Sequence, residues 1–425
     1  MAYPAEGRAA RVRFPSAFRS LNHPDYRLFF FGQLISQIGT WMQRIGQSWL
    51  IMQLTRSAFL LGLITTLQFL PILIFAIFGG ALADRLPKRR TMIFTQSAMA
   101  LQALILAALV WSHRVQYWHV AVLALLLGLT NTLDTPVMQA FTVDMVGGRE
   151  DLRNAIALNS ATNNGARLLG PALSGLLVAH YGVALAFFLN GVSFLAVISA
   201  LLMVRAKGMP AARRQRKILQ DVGEGLLFIY RTPLILFLNL LLLVIGMFVI
   251  NWSVLIAMLA SGVLGLDAQG YGMLMSALGA GALVGAVAMA AQKSSHKVNI
   301  NPLIGAGLAL CLATGLMYFV HNFWLALADL ALMGLMQILY TADTNSVLQL
   351  ATPDGLQGRV MSVYQLVFAG VTPFGALFTG TVIQHSNGSV GFLVAGGVGL
   401  LGALLLIGWW WTTHGKGEPS GGTLK

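Results

Sequence analysis

The feature that most constrains this chain is a series of twelve long apolar stretches that fill most of its 425 residues. A helix needs about 20 apolar residues to cross the hydrocarbon core of a bilayer. The stretches do not alternate with period two, which argues against a membrane β-barrel. They cover residues 27–54, 58–83, 91–112, 118–146, 152–181, 184–204, 232–264, 268–291, 299–320, 323–351, 357–385 and 389–411. We therefore predict an all-α membrane protein with twelve transmembrane helices.

The basic residues predict the orientation. With the amino terminus placed in the cytoplasm, 23 of the 27 Lys and Arg residues fall on the cytoplasmic side, and only Arg56 and Arg114 fall outside. Cytoplasmic loops carry such an excess. The net charge of +13 therefore reflects topology and contact with the lipid bilayer, and no nucleic-acid partner is expected. The predicted location is the plasma membrane (a bacterial inner membrane), with several passes and both termini cytoplasmic.

The longest polar stretch divides the twelve segments into six and six. The predicted parts are a cytoplasmic basic tail (1–27), an N-terminal six-helix bundle (28–204), a cytoplasmic linker (205–231), a C-terminal six-helix bundle (232–411) and a cytoplasmic carboxyl tail (412–425). The halves resemble each other weakly, since Gly170–Gly175 in segment five recurs as Gly375–Gly380 in segment eleven. Parallel six-helix repeats place a substrate cavity at their interface.

The loop between segments two and three, Gly80–Arg90, contains one acid and four bases. Asp84 ends segment two, where it can meet the positive amino-terminal end of segment eleven. We expect a nearby acid such as Asp144 to hold Arg85 and Arg89. These residues predict a joint that closes the cytoplasmic side. The alternative is a basic loop that sets topology and has no gating role.

The six-plus-six arrangement and this loop resemble the major facilitator superfamily. The loop matches the family signature (Gly, small, Leu, Ala, Asp, Arg, two variable positions, then basic residues), except that Pro87 occupies the usual glycine position. Asp151–Ala155 and Gly358–Ser362 resemble the efflux branch that contains the enterobactin exporter and macrolide efflux proteins. The resemblance covers about residues 18–411 and implies two six-helix pseudo-repeat bundles, the major facilitator fold. It also implies a cytoplasmic latch, formed here by Gly80, Asp84, Arg85, Arg89, Asp144 and Arg359.

Polar side chains recur at helical spacing on three membrane segments. They include Gln37 and Arg44 in segment one, Asn131 and Asp134 in segment four, and Asn163 and Arg167 in segment five. Polar faces on membrane helices point toward other helices or a wet cavity. The family resemblance implies that segments one, four, seven and ten line that cavity.

Three of these residues are charged and lie near mid-membrane. A charge there costs on the order of 3 kcal/mol, so Asp134 is expected to pair with Arg44 or Arg167. An aspartate paired in this way can exchange its partner for a proton, and we predict that Asp134 couples transport to protons. The alternative is a fixed ion pair that never titrates. Asp343 in segment ten is a second candidate, unless it is a helix-end carboxylate reached by water.

Segment five also contains Gly165, Gly170, Pro171 and Gly175, which resemble the antiporter signature of the family. Small residues allow close helix approach, and the proline loosens the helix. Both suit a rocking interface, and plain close packing is the alternative explanation of the glycines.

No P-loop, metal-ligand cluster or nucleophile triad occurs, so neither an enzyme nor a cofactor is expected. We predict a monomeric secondary active transporter that exports small amphipathic molecules, drug-like or siderophore-like, by alternating access and in exchange for protons. The alternatives are a proton-coupled symporter that imports a small nutrient and a non-transporting scaffold or sensor. A membrane-embedded enzyme lacks a catalytic constellation.

Overall fold

The computed structural model describes residues 15–146, 148–206, 208, 218–291, 299–353 and 356–414, and the regular elements of these residues are all helical. The helices are α1 (Pro24–Thr55), α2 (Ala58–Arg85), α3 (Lys88–Trp111), α4 (Tyr117–Met145), α5 (Arg149–Tyr181), α6 (Val183–Met203), α7 (Ile218–Arg231), α8 (Pro233–Phe248), α9 (Trp252–Met258), α10 (Ala268–Ala291), α11 (Asn301–Leu316), α12 (Phe323–Ala351), α13 (Gln357–Gly370), α14 (Thr372–Gln384) and α15 (Gly388–His414). A π-helical turn, Leu259–Val263, extends α9.

Ten helical segments within the described residues are long and apolar enough to cross a membrane. One of them joins α8, α9 and the π-helical turn, and another joins α13 and α14. The other two predicted segments are α1 and α5, which are 32 and 33 residues long. Both carry the polar stripes of the sequence, which lower their hydropathy. The chain is therefore a multi-pass membrane protein, and α1 and α5 are its two most polar long helices.

The helices form two bundles that meet along two seams. Helices α1–α6 pack mainly against one another, and so do α8–α15. The seams are α2 against α14 and α5 against α10. We call the end where α1 begins and α2 ends the basic end, because it carries the charged loop after α2. The opposite end, where α1 ends and α2 begins, is the far end.

Both seams are tightest toward the far end. A Cβ atom added to Gly272 would lie 2.6 Å from the carbonyl oxygen of Pro171, and one added to Gly380 would lie 2.7 Å from that of Ala58. The Trp49 ring on α1 stacks on that of Tyr271 on α10, with centroids 5.9 Å apart. Small residues let backbones approach this closely. The two halves are thus in direct contact at the far end.

Segments seven and eleven are interrupted, although the sequence pattern predicts continuous helices. In segment eleven, α14 starts with Pro373 in its first turn, and proline supplies no N–H to the helix before it. In segment seven, the Asn251 side chain donates to the carbonyl oxygen of Met247 at 2.7 Å. Side chains that bond to the nearby backbone compete with helix hydrogen bonds. The two interruptions adjoin, because Gly375 packs against Met247 and Asn251.

A buried amide network ties three helices of the first bundle together. Gln43 Nε2 on α1 donates to Gln102 Oε1 on α3 at 2.9 Å, and Asn190 Nδ2 on α6 donates to Gln43 Oε1 at 2.6 Å. All three side chains are buried. Because neither partner reaches water there, Gln43 fixes how α1 sits between α3 and α6.

Replacing Gln43 with leucine should therefore destabilise the protein. The variant would leave the amides of Gln102 and Asn190 without their partner, which costs about 1–3 kcal/mol for each buried polar group. Gln53→Leu is the matched control, since Gln53 is exposed on the same helix. We expect the thermal unfolding midpoint in detergent to fall for Gln43→Leu and to stay near that of the unaltered protein for the control. Equal midpoints for the two variants would contradict the role of the network.

Candidate functional site

A cavity of about 330 Å³ lies between the two bundles near the middle of the membrane segments. Helices α1, α2 and α5 line one side of it, and α8–α10 and α12–α14 line the other. The interrupted part of segment seven, 250–253, contributes to the wall. Irregular backbone at membrane depth is tolerated where it lines a cavity. The volume suits a small organic molecule.

Two guanidinium groups in the wall lie against one indole ring. Cζ of Arg44 lies 4.7 Å from the ring centroid of Trp41, and Cζ of Arg167 lies 5.9 Å from it. A cation over an indole face is stabilised by about 0.5–2 kcal/mol. Trp41 therefore holds both arginines at the cavity through its ring.

A hydrogen-bonded chain crosses the seam beside these arginines. Arg167 Nη2 on α5 donates to Gln337 Oε1 on α12 at 2.8 Å, and Trp252 Nε1 on α9 donates to the same oxygen at 3.0 Å. The sequence pattern did not identify Gln337. The available signal was an amide in an otherwise apolar stretch of segment ten.

The polar stripe of segment five faces α1. Asn163 Oδ1 accepts from Trp41 Nε1 at 3.3 Å, and Ser174 Oγ donates to the carbonyl oxygen of Met42 at 3.0 Å. Arg167 lies between these two contacts along α5. The stripe thus bonds to α1, as polar residues in a membrane helix bond to other helices, while Asn163 is also exposed.

Asp134 lies elsewhere, between α3 and α4. Its Oδ1 accepts from Thr95 Oγ1 at 2.5 Å, and Gln96 Nε2 donates to both carboxylate oxygens at 3.2 and 3.1 Å. The expected pairing with Arg44 or Arg167 is not found among the described contacts. The physical reason is rotational, because the Asp134 position of α4 faces α3 and neither α1 nor α5. Gln37, Asn131 and Asp343 are half-buried and are not part of the cavity wall.

At the basic end, Asp144 pairs with a different base from those expected. Lys88 Nζ lies 2.8 Å from Asp144 Oδ2. Arg89 instead donates to the carbonyl oxygens of Leu201 and Leu202, both at 2.6 Å, at the end of α6. Cations there satisfy carbonyls that have no helical partner. The loop between α2 and α3, which carries part of the predicted latch, is therefore bonded to helices of its own bundle in this structure.

The other latch residues are spread over both bundles. Arg85 is exposed at the end of α2, and Arg359 on α13 pairs with Glu224 on α7. The surroundings of Gly80 and the side chain of Asp84 lie outside the described part of the structure. In this structure Arg359 is thus engaged with the helix that precedes the second bundle.

The small residues of segment five differ in their surroundings. A Cβ at Gly170 would lie 2.5 Å from Cβ of Trp41, and one at Gly175 would lie 3.1 Å from the Ala268 carbonyl oxygen on α10. Pro171 is buried beside Gly272 at the same seam. A Cβ at Gly165 would meet nothing within 4 Å. Packing explains Gly170 and Gly175 in this arrangement and does not explain Gly165.

Comparison with known proteins places this geometry among transporters. The family described as transmembrane secretion effector matches residues 15–412. The multidrug efflux pump Tap of Mycolicibacterium fortuitum is 26% identical over 376 residues, which are 86% of this chain and 91% of Tap. The enterobactin exporter EntS of Shigella boydii serotype 4 (strain Sb227) is 26% identical over 397 residues, which are 91% of this chain and 92% of EntS.

Solved structures share the fold at low sequence identity. A bacterial homolog of the human lysosomal transporter Spinster, in an inward-facing and unoccupied conformation, has a TM-score of 0.68 at 12% identity, covering 90% of this chain and 94% of the other. The nucleoside transporter NupG has a TM-score of 0.71 at 11% identity, covering 91% and 99%. Both of these proteins are transporters, and both share the predicted architecture.

Proposed function

Since the chain belongs to the transmembrane secretion effector family, within the major facilitator superfamily, we propose that it exports small amphipathic molecules by alternating access in exchange for protons. The observation that carries the proposal is the central cavity, which lies between two bundles that touch at the far end. A wall shared by two movable halves lets the same site open to either side of the membrane. The exporters Tap and EntS at similar length support the direction of transport.

The orientation follows from charge. The basic end carries the loop after α2, the loop before α5 and the linker before α8, and cytoplasmic loops are enriched in Lys and Arg. We therefore place the basic end, with both termini, in the cytoplasm of a plasma membrane. Because the seams are closed at the far end, this structure then corresponds to an inward-facing state.

The predicted latch belongs to the opposite, outward-facing state. We place Asp84 against the start of α13 in that state, with Arg359 released from Glu224. The Lys88–Asp144 pair stays within the first bundle and moves with it. We therefore assign opening of the cytoplasmic side to a movement of the second bundle and of the linker helix α7.

Reconstitution into vesicles tests the proposed function. The probes are 2-naphthalenesulfonate and 2-naphthyltrimethylammonium, which share a ring system and carry fixed opposite charges, so a pH gradient alone does not redistribute them. We expect at least one probe to accumulate in vesicles with an acidic interior. Flux of neither probe would contradict the transport function for this class of compound, and accumulation from an acidic exterior would support a symporter instead.

Asp134→Asn tests the coupling residue. A carboxylate at membrane depth without a cation partner is costly to keep charged, which suits a group that binds and releases protons. We expect the variant to lose at least nine-tenths of the pH-driven accumulation while it still equilibrates the probe across the membrane. Asp343→Asn is the comparison, because Asp343 is the second candidate carboxylate. Undiminished pH dependence in Asp134→Asn would mean that Thr95 and Gln96 hold a fixed structural carboxylate.

A further inference from the structure

The cavity wall carries an unbalanced positive charge. Arg44 and Arg167 both line it, and no carboxylate is among the described residues of the wall. Asp134 is engaged with Thr95 and Gln96 on the other side of α4, away from the cavity. Two cations at membrane depth without an acid are expensive, and the cation–π contacts with Trp41 offset only part of the cost.

The two arginines also keep unused donors. A guanidinium has five N–H groups in a rigid fork. Arg167 uses Nη2 on Gln337, and its Nε is buried without a hydrogen-bond partner. Arg44 has no hydrogen bond to the part of the chain that the structure describes, although side chains surround it on α1 and α2. Buried donors in native proteins are nearly always paired, so Arg167 Nε points to a ligand that accepts hydrogen bonds. Arg44 is exposed at the cavity wall, where the same ligand can accept from its guanidinium group.

From these observations we infer that the cavity binds an organic anion, whose acidic group lies between Arg44 and Arg167 and whose ring system contacts the aromatic wall. Arginine forks match carboxylate, sulfonate and phosphate oxygens in pairs. The remaining wall supplies apolar and aromatic surface from Phe69, Trp252 and Phe368. A cation of the same shape meets two positive charges and no counter-charge. The inference deepens the proposed function by assigning the charge of the substrate.

Because Arg167 lies at the seam, binding of the anion also affects the contact between the two bundles. Its bond to Gln337 joins the first bundle to the second, and an anion that takes the same N–H groups competes with the Gln337 oxygen. Substrate binding from the basic end then weakens one link across the seam. The anion thereby favours rearrangement of the halves, which is what an exporter needs after it loads its substrate.

Calorimetric titration of the purified full-length protein in detergent tests this inference without any transport measurement. The probes are again 2-naphthalenesulfonate and 2-naphthyltrimethylammonium. We expect the sulfonate to bind at least ten-fold more tightly than the ammonium compound. Arg44→Gln and Arg167→Gln should each weaken the sulfonate at least ten-fold and leave the ammonium compound unchanged or strengthened.

Arg114→Gln is the matched control, because Arg114 is an exposed arginine outside the cavity and its loss removes the same charge. We expect wild-type affinity for the sulfonate in this variant. Unfolding midpoints of all variants separate lost binding from lost folding. Addition of sodium chloride separates a small-ion site from an organic-anion site.

The inference is overturned if the ammonium compound binds more tightly, if both glutamine variants bind the sulfonate normally, or if moderate chloride displaces the sulfonate completely. These outcomes are distinct from failure of the proposed function. Sulfonate binding without flux in vesicles would leave an anion receptor, and flux of the ammonium compound alone would leave an exporter with a different substrate.

Discussion

Joining the halves at the far end should stop transport completely and reversibly. Ser57 Oγ, just before α2 of the first bundle, donates to Gln384 Oε1, at the end of α14 of the second bundle, at 2.8 Å. Both residues lie at the far end. In a Cys311→Ala background, cysteines at 57 and 384 can be bridged by a short bis-methanethiosulfonate reagent. Because export requires this contact to open, the bridge should reduce probe flux to the level of empty vesicles, and dithiothreitol should restore it.

The single variants Ser57→Cys and Gln384→Cys, treated with the same reagent, provide the controls. Each carries the modification without the bridge and should keep most of its flux. Cys311 is buried and forms no disulfide, so its replacement removes a competing thiol, and flux of the Cys311→Ala protein is the reference for all these variants. Full flux in the bridged double variant would show that the far-end contact does not open during transport.

Gly272→Val should reduce transport by a similar amount, because it prevents the far end from closing. A Cβ at position 272 would lie 2.6 Å from the carbonyl oxygen of Pro171 and 2.7 Å from Cα of Gly175. Both are backbone atoms, so α5 and α10 must separate. Overpacking of this kind costs about 1–3 kcal/mol, which converts to a loss of about five-fold to 150-fold in the closed population. We expect less than a tenth of the normal flux.

Gly397→Val is the control, because a Cβ at Gly397 would meet nothing within 4 Å. The two variants make the same change of helix propensity, so the difference between them isolates the seam. The unfolding midpoint of Gly272→Val should stay within a few degrees of the control, because we expect α5 and α10 to separate in the outward-facing state and accommodate the valine. Normal flux in Gly272→Val would contradict closure along α5 and α10.

The membrane segments could be predicted because bilayer thickness and side-chain hydropathy fix them locally. Segment one was expected over 27–54 and is Pro24–Thr55, and segment four was expected over 118–146 and is Tyr117–Met145. The interruptions in segments seven and eleven were not predicted. They coincide with Pro373 at the start of α14 and with the hydrogen bond from the Asn251 side chain to the Met247 carbonyl oxygen, which hydropathy does not reveal.

The candidate site, too, could be predicted only in part from the sequence. Helical spacing was enough to put Arg44 and Arg167 on inward-facing stripes, and both line the cavity. It was not enough to find the partner of Asp134, because that depends on the rotation of α4 relative to α3. Gln337 was not predicted because a single amide has no helical periodicity. Its role depends on the folded structure, in which Arg167 and Trp252 both donate hydrogen bonds to its side-chain oxygen.

Access to the cavity from both sides of the membrane tests the central claim most directly. Ser253 lines the cavity, and Ser253→Cys in a Cys311→Ala background supplies one reporter thiol. It can be labelled with an impermeant maleimide in inside-out and right-side-out vesicles. The account predicts labelling from both faces, with Gly272→Val raising labelling from the far end and lowering it from the basic end. Labelling from one face only, with no change in Gly272→Val, would contradict alternating access.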